Sequence, residues 1–226
     1  MQCIAVIPGK NKEKSPVLMA DHIDTAFSQN VYNKTGKRQS SPGADDNTSA
    51  TAALLRAATV LKTLPLERSI WLVHLTGDEF PADSLGSRTL ISKMLQEKQD
   101  IKGLVLLDMI GYKSKKDNIF QINAGDSEES LKIAGIAMGA ARIQTKYKAV
   151  FRNRFDPKNY LYNTSGLVFS DYGYPVILFN EHLNKLENQN RSGLHDMADT
   201  HKKIDWNYAT AIAKIAIETT LRLASE

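Results

Sequence analysis

The chain has 226 residues, of which 42% are hydrophobic and 24% charged, and its formal net charge is +4. That balance is ordinary for a folded globular protein, and no apolar run approaches the roughly 20 residues of a membrane span. The lysines behind the sequence pI of 9.0 are scattered over separate loops, which argues against a nucleic-acid-binding surface. The single cysteine, Cys3, excludes an internal disulfide.

Apolar runs of strand length alternate with amphipathic stretches along the chain, which is typical of an α/β protein. Two runs, 69–76 and 102–109, are almost wholly apolar, as central strands buried on both faces are. We therefore expect one domain over residues 1–226, with a mixed, mostly parallel central sheet and helices on both faces. In chain order the pattern predicts strands at 3–7 and 16–22, a helix at 49–62, a strand at 69–76, a helix at 85–97, strands at 102–109 and 118–123, a helix at 128–141, a strand at 146–151, a helix at 165–171, a strand at 175–180 and a helix at 206–223.

Two stretches, 26–46 and 182–204, show no periodicity and are expected to be long loops. Loops of this length in a compact domain are often functional. The N-terminus has no basic start and no long apolar stretch, so no signal peptide is visible. Because a strand begins so close to Met1, we expect that a segment upstream has been lost or trimmed, which leaves the compartment open between cytoplasm and export.

Acidic residues and histidines stand where three predicted strands end and in both long loops. Because the carboxyl ends of parallel strands meet at one edge of a sheet, we expect these side chains to converge there. Two imidazoles and three carboxylates suit zinc, and the set could serve two ions if one carboxylate bridges them. Each of these residues alone could simply belong to a turn, cap a helix or be a solvated side chain. The prediction of a metal site therefore rests on their combination. The candidate metal ligands are His22, Asp46, Glu79, Asp108 and His195.

Asp24 follows His22 by two residues. Side chains two apart on a strand point the same way, so the Asp24 carboxylate is expected to reach the ring nitrogen of His22 that does not bind metal. We therefore expect Asp24 to orient His22.

The order and spacing of these residues resemble those of the di-zinc aminopeptidases of metallopeptidase family 28, whose relatives include glutamate carboxypeptidase and glutaminyl cyclase. The resemblance extends from Ile4-Ala5-Val6-Ile7-Pro8-Gly9 to Asp205 and includes the blocks Gly43-Ala44-Asp45-Asp46 and Gly193-Leu194-His195-Asp196. It implies the zinc-exopeptidase fold, of the phosphorylase/hydrolase-like type, and two bound zinc ions.

The resemblance also implies a role for each matched residue. Asp46 is expected to bridge the two ions, and its peptide bond to Asn47 is often cis in the family. His22, Glu79, Asp108 and His195 are expected to complete the two ligand sets. Asp78 stands where the family has its general base.

Three positions depart from the family pattern. Asp78 replaces a glutamate, so the base is one methylene shorter, and a base has to come within about 2.6–3.2 Å of its water. Pro81-Ala82 is a small insertion beside the site. Thr164-Ser165-Gly166 stands where the family usually has Ser-Asp-His.

The predicted activity is that of an aminopeptidase, which hydrolyses the N-terminal peptide bond of a peptide with a free N-terminus by means of a zinc-activated water. We expect Tyr162 to help hold the oxyanion and Arg154 to favour an acidic side chain or a substrate carboxylate. The oligomeric state stays open.

Three other functions remain alternatives at the level of sequence. A glutaminyl-peptide cyclase would use the same fold with one zinc, and a binding module would keep the fold without turnover. A carboxypeptidase-like or amidohydrolase activity would use the same two zincs, but such enzymes usually carry an inserted dimerisation domain, for which 226 residues leave no room.

Overall fold

The computed structural model describes residues 2–113, 118–183 and 194–226. Two stretches therefore lie outside the described residues: 114–117, between the strands predicted at 102–109 and 118–123, and 184–193, in the loop expected at 182–204. Gly193, which belongs to one of the quoted blocks, is among them. Within the described ranges, no helix is both long and apolar enough to cross a bilayer.

The helices and strands follow the sequence pattern closely, with most ends within a residue or two of those expected. The strands are β1 Cys3–Ile7, β2 Val17–His22, β3 Ile70–Leu75, β4 Gly103–Leu107, β5 Ile119–Ala124, β6 Lys148–Arg152 and β7 Val176–Glu181. The helices are α1 Gln29–Thr35, α2 Ser49–Leu61, α3 Leu85–Gln96, α4 Glu128–Gln144, α5 Gly166–Asp171 and α6 Trp206–Ala224.

The strands form one seven-stranded sheet in the order β1-β3-β2-β4-β7-β5-β6. Neighbours pair in parallel except at β1 with β3 and at β5 with β7. The four central strands β3, β2, β4 and β7 are thus mutually parallel, and their carboxyl ends share one edge. The expected mixed, mostly parallel sheet is confirmed.

Helices cover both faces of the sheet, as predicted. One apolar layer joins the sheet to α2, α4 and α6, and the other joins it to α3 and α5. Alternation along β2 shows how one strand serves both layers: Met19 packs into the first and Leu18 into the second, and both are fully buried.

The stretch expected as a structureless loop, 26–46, contains the short helix α1. None of the residues of α1 is buried, so it has no apolar stripe that periodicity could reveal. It ends at Gly36, whose φ of 68° is the left-handed conformation that glycine adopts without a steric cost. Its first backbone N–H, that of Gln29, donates to the carbonyl of His195 at 2.8 Å, so this helix supports a candidate ligand.

Truncation of Ile212 should test the first apolar layer. Ile212 lies in α6 and is fully buried, whereas Ile143 in α4 is 79% exposed. We expect Ile212→Ala to lower the unfolding free energy by about 2–5 kcal/mol, through lost burial and a residual cavity. The matched Ile143→Ala should change it by less than about 0.5 kcal/mol. Urea denaturation followed by far-UV circular dichroism measures both, and equal effects would contradict the assigned packing.

Candidate metal centre

The five candidate ligands converge at the carboxyl edge of the central strands. His22 is the last residue of β2, Asp108 directly follows β4, and Glu79 follows β3 by four residues. Asp46 comes from the turn before α2, and His195 from a turn that reaches the site from the far end of the chain. They form two groups in which the potential ligand atoms lie within 4.8 Å of one another: His22, Asp46 and Asp108 in one, and Asp46, Glu79 and His195 in the other.

Asp46 belongs to both groups and divides its carboxylate between them. Its Oδ1 lies 3.3 Å from His22 Nε2, and its Oδ2 lies 3.1 Å from His195 Nε2. His22 Nε2 is also 3.4 Å from Asp108 Oδ1, and His195 Nε2 is 3.5 Å from Glu79 Oε2. Each group therefore presents one imidazole and two carboxylates, with one carboxylate in common.

Asn47 fixes Asp46 against the end of β4. Its side-chain amide donates to the carbonyl of Leu107 at 3.1 Å and accepts from the N–H of Met109 at the same distance. These two bonds bracket Asp108, so Asp46 and Asp108 are held in register with each other. The peptide bond between Asp46 and Asn47 is cis, as the family resemblance implies.

Two further aspartates hold the same turn by bonding to backbone N–H groups. The carboxylate of Asp199 accepts from the N–H groups of Asp45 and Asp46, at 2.8 and 3.1 Å. Asp45 Oδ1 accepts from the N–H groups of Gly111 and Tyr112, at 2.6 and 3.1 Å. Asp45 and Asp199 thus position the centre without facing it.

Asp24 supports His22 in a different way from the one predicted. The hydrogen-bond partner of His22 Nδ1 is the backbone carbonyl of Asp24, at 3.1 Å, whereas the nearer carboxylate oxygen lies at 3.8 Å. The strand ends at His22, so the alternation that the prediction assumed does not extend to Asp24. The Asp24 carboxylate instead accepts from the N–H groups of Asp78 and Glu79, both at 3.0 Å through Oδ2.

The histidines and carboxylates of the two groups shift one another's pKa values. Burial alone would lower the pKa of His22, but the carboxylates of Asp108 and Asp46 hold it well above its usual value. Hydrogen bonds to Asp46 and Glu79 raise the pKa of His195 to about 10. Burial opposes ionisation of Asp46, yet His195 and His22 hold its pKa well below the usual range. The buried carboxylates therefore favour positive charge at this site. Protonated histidines or bound cations can supply that charge.

The residues present fit divalent cations of the zinc type. Imidazole nitrogen and carboxylate oxygen are ligands that zinc prefers, and each group offers three of them. Asp108 Oδ1 is buried and makes no hydrogen bond of standard geometry within the described part of the chain. A buried carboxylate oxygen in that situation is costly unless a cation or a proton compensates it.

Asp78 lies beside the group of His22, Asp46 and Asp108, and its carboxyl group has a raised pKa. Burial is the main cause that raises its pKa to about 7, and the nearby carboxylates add to the effect. Its Oδ1 accepts a hydrogen bond from the hydroxyl of Ser165. Its carboxyl group is thus poised to gain or lose a proton near neutral pH.

The two predicted substrate-binding residues contact each other. The guanidinium of Arg154 stacks over the ring of Tyr162, 4.2 Å from its centroid. The Tyr162 hydroxyl lies 3.4 Å from Ser170 Oγ. The neighbouring Arg152 pairs with Asp156 at 2.9 Å. The assignment of Tyr162 to the oxyanion and of Arg154 to an acidic group stays a prediction.

Comparison with known proteins decides the family. Residues 2–220 match the sequence pattern of peptidase family M28. The chain belongs to peptidase family M28. The resemblance drawn from the sequence blocks is therefore confirmed.

Curated relatives of this chain are named leucine aminopeptidase 1. The protein of Paracoccidioides brasiliensis (strain Pb18) is 27% identical over 238 residues, which cover 98% of this chain and 55% of that protein. That of Aspergillus oryzae is 26% identical over 236 residues, with the same coverage. The chain thus spans about half the length of the curated relatives it matches.

Solved structures share the fold of this M28 chain. LapA aminopeptidase of Legionella pneumophila superposes with a TM-score of 0.78 at 17% identity, over 100% of this chain and 55% of that one. BSAP, a zinc aminopeptidase from Bacillus subtilis, gives 0.74 at 19%, over 100% and 50%. A Zn-dependent exopeptidase from Parabacteroides distasonis gives 0.72 at 19%, over 97% and 77%. The zinc-exopeptidase fold expected from the sequence is confirmed.

Sequence reasoning missed several residues that hold the site together. It left open the effect of Ser165 and made no use of Ser87, because a buried serine carries no pattern of its own. No sequence pattern predicted the two hydrogen bonds of the Asn47 amide with the backbone. The only available signal was that Asn47 directly follows the candidate bridging ligand Asp46.

Replacement of Asp78 by asparagine should stabilise the metal-free protein in a pH-dependent manner. A carboxyl group whose pKa is raised on folding opposes folding only where the unfolded chain would ionise it. The unfavourable contribution is therefore absent below about pH 4, grows up to about pH 7 and is constant above.

Urea unfolding in the presence of a chelator, at pH 4.5, 6 and 8, tests this expectation. The difference in unfolding free energy between Asp78→Asn and wild type should widen to about 4 kcal/mol at pH 8. A difference that stays constant over this range would contradict the assignment to Asp78.

Proposed function

We propose that this chain is a zinc-dependent aminopeptidase that binds two ions. The observation that carries the proposal is the carboxylate of Asp46, with one oxygen directed to each of two histidine–carboxylate groups. One bridging carboxylate between two three-ligand groups is the arrangement that a pair of hydrolytic metal ions requires. The names of the relatives and structural neighbours, leucine aminopeptidase and zinc aminopeptidase, support the same reaction.

The proposed ligands divide by group. His22 and Asp108 would hold one ion, Glu79 and His195 the other, and Asp46 would contribute to both. When bound, such ions polarise a carbonyl and bring the pKa of a bound water towards about 7. The backbone carbonyl of Asp24 holds the imidazole of His22, which leaves Nε2 for the metal.

Asp78 is the proposed general base. It lies next to Glu79 on a turn that the Asp24 carboxylate fixes through two backbone N–H groups. A carboxyl group beside the centre can take a proton from the attacking water and return it to the leaving amine. Asp78 is thus proposed to fill the role that the resemblance gives to this position.

The substrate is proposed to approach from the side of His195. The side chain of His195 is 43% exposed, whereas those of His22 and Asp46 are each 5% exposed. The N-terminus of an unblocked peptide would therefore reach the centre at its exposed end.

Incubation of the zinc-loaded protein with unblocked peptides, some beginning with glutamine, tests the reaction. Mass spectrometry should show loss of one N-terminal residue. Asp78→Asn should lower kcat by about 10²-fold or more, because it removes the base, and should leave zinc content unchanged. Loss of ammonia from the glutamine peptides alone would indicate a cyclase, and zinc binding without turnover a binding module.

The number of ions is tested separately by metal analysis after dialysis. Wild-type protein should retain about two zinc ions per chain. Asp108→Asn should lose mainly one, whereas Asp46→Asn should lose both, because Asp46 alone serves both groups. Exposed Asp171→Asn serves as the control for the loss of one charge, and equal zinc content in all variants would contradict the ligand assignment.

A further inference from the structure

Two buried serines lie in line behind the carboxylate of Asp78. Ser165 Oγ donates a hydrogen bond to Asp78 Oδ1, and Ser87 Oγ donates to Ser165 Oγ at 2.6 Å. Ser87 is fully buried and Ser165 is 2% exposed. Water therefore does not compete for these bonds, and each hydroxyl has a defined direction.

The fold brings the two hydroxyls together from separate helices. Ser87 lies in the first turn of α3, and Ser165 is the residue just before α5. Gly86 allows α3 to begin close to the end of β3, because a Cβ at this position would meet the carbonyl oxygen of Thr76 at 2.2 Å. The close approach of α3 to that strand places Ser87 behind the turn that carries Asp78.

The neighbouring hydroxyl of Thr164 shows that the contact is specific to Ser165. Thr164 Oγ1 donates to the carbonyl of Leu161 at 2.8 Å and accepts from the N–H of Gly166 at 3.1 Å. Thr164 thus stabilises its own turn, whereas Ser165 bonds to a residue 87 positions away in the sequence.

The direction of the two bonds constrains the Asp78 carboxylate. Ser165 has one hydroxyl hydrogen, which Asp78 accepts, and one of its lone pairs accepts the hydrogen of Ser87. The hydroxyl of Ser165 is therefore held in one orientation by a neighbour on each side. The Asp24 carboxylate fixes the backbone of Asp78 through its N–H group. The hydrogen bond at Oδ1 then restrains the side-chain torsions of Asp78, and Oδ2 is the oxygen proposed to accept a proton.

Two departures from the family pattern meet in this contact. Asp78 and Ser165 are two of the positions at which the sequence was expected to depart from the resemblance drawn above. In this chain the two residues touch, so the aspartate has a hydroxyl donor beside it. A donor is suited to hold a carboxylate, whereas a second ionised carboxylate would repel it.

We propose that Ser165 and Ser87 are positioning residues, which hold the carboxylate of Asp78 in the orientation that lets it accept a proton from the attacking water. The inference rests on the proposed function of Asp78 as the base. Ser165 acts directly on Asp78, and Ser87 acts through Ser165.

Kinetics of the zinc-loaded variants test the proposal. Ser165→Ala should lower kcat by about tenfold, the usual order for loss of one hydrogen bond to a charged group, with KM within about twofold of wild type. Ser87→Ala should lower kcat by a smaller factor, about threefold. Zinc content should be unchanged in both variants. Wild-type kcat in Ser165→Ala would overturn the proposal.

The double variant separates positioning from general destabilisation. Because Ser87 acts through Ser165, Ser87→Ala should have no further effect on kcat in the Ser165→Ala background. If the decreases in kcat of the two single variants multiply in the double variant, Ser87 does not act through Ser165. Ser130→Ala is the matched control, since Ser130 is an equally buried serine whose hydroxyl accepts from the N–H of Val176 at 2.9 Å, in another part of the fold. It should lower stability and leave kcat unchanged.

Crystal structures of zinc-loaded wild type and Ser165→Ala provide a readout independent of turnover. The Asp78 carboxylate should keep its contact with Ser165 in the wild type and turn away from that position in the variant. An unchanged Asp78 side chain in Ser165→Ala would overturn the positioning role even if the wild-type protein hydrolyses no peptide. Absence of wild-type turnover with the expected rotation would count against the aminopeptidase proposal alone.

Discussion

The carboxylate of Asp46 is the group on which the candidate centre depends. It is buried between the imidazoles of His22 and His195 and stands 3.3 and 3.1 Å from them. Burial of an ionised carboxylate is unfavourable unless positive charge lies close by, so these three groups are stable only together. Removing any one of them leaves the others with an uncompensated charge, which ties the structure of the site to its chemistry.

A second set of aspartates holds this arrangement in place. The carboxylates of Asp24, Asp45 and Asp199 accept hydrogen bonds from backbone N–H groups of the turns that carry the candidate ligands. Each carboxylate bonds to two successive N–H groups, which fixes a turn more firmly than a single bond. The acidic residues at the centre thus divide into those that face it and those that hold the backbone around it.

Much of the architecture could be predicted because apolar periodicity reports burial, and burial determines the sheet and both helical layers. Strand ends likewise predicted that Glu79 and Asp108 meet at one edge. Helix α1 could not be predicted, since it is held by local bonds and buries no residue. The hydrogen bond of Asp24 to His22 was predicted for the carboxylate, whereas the backbone carbonyl of Asp24 makes it, because the strand stops two residues before Asp24 and alternation does not apply there. The Ser87–Ser165 contact depends on the packing of α3 and α5, which no sequence pattern encodes.

The unequal burial of the two ligand groups implies different exchange rates for bound cations. His22, Asp46 and Asp108 are closed off beneath the sheet edge, whereas His195 is nearly half open to solvent and sits on a turn with φ of 47°. If two ions are bound as proposed, the ion beside His195 would occupy the more exposed position, and the ion beside His22 and Asp108 the more enclosed one. The deeper ion would then be expected to exchange with the surroundings more slowly.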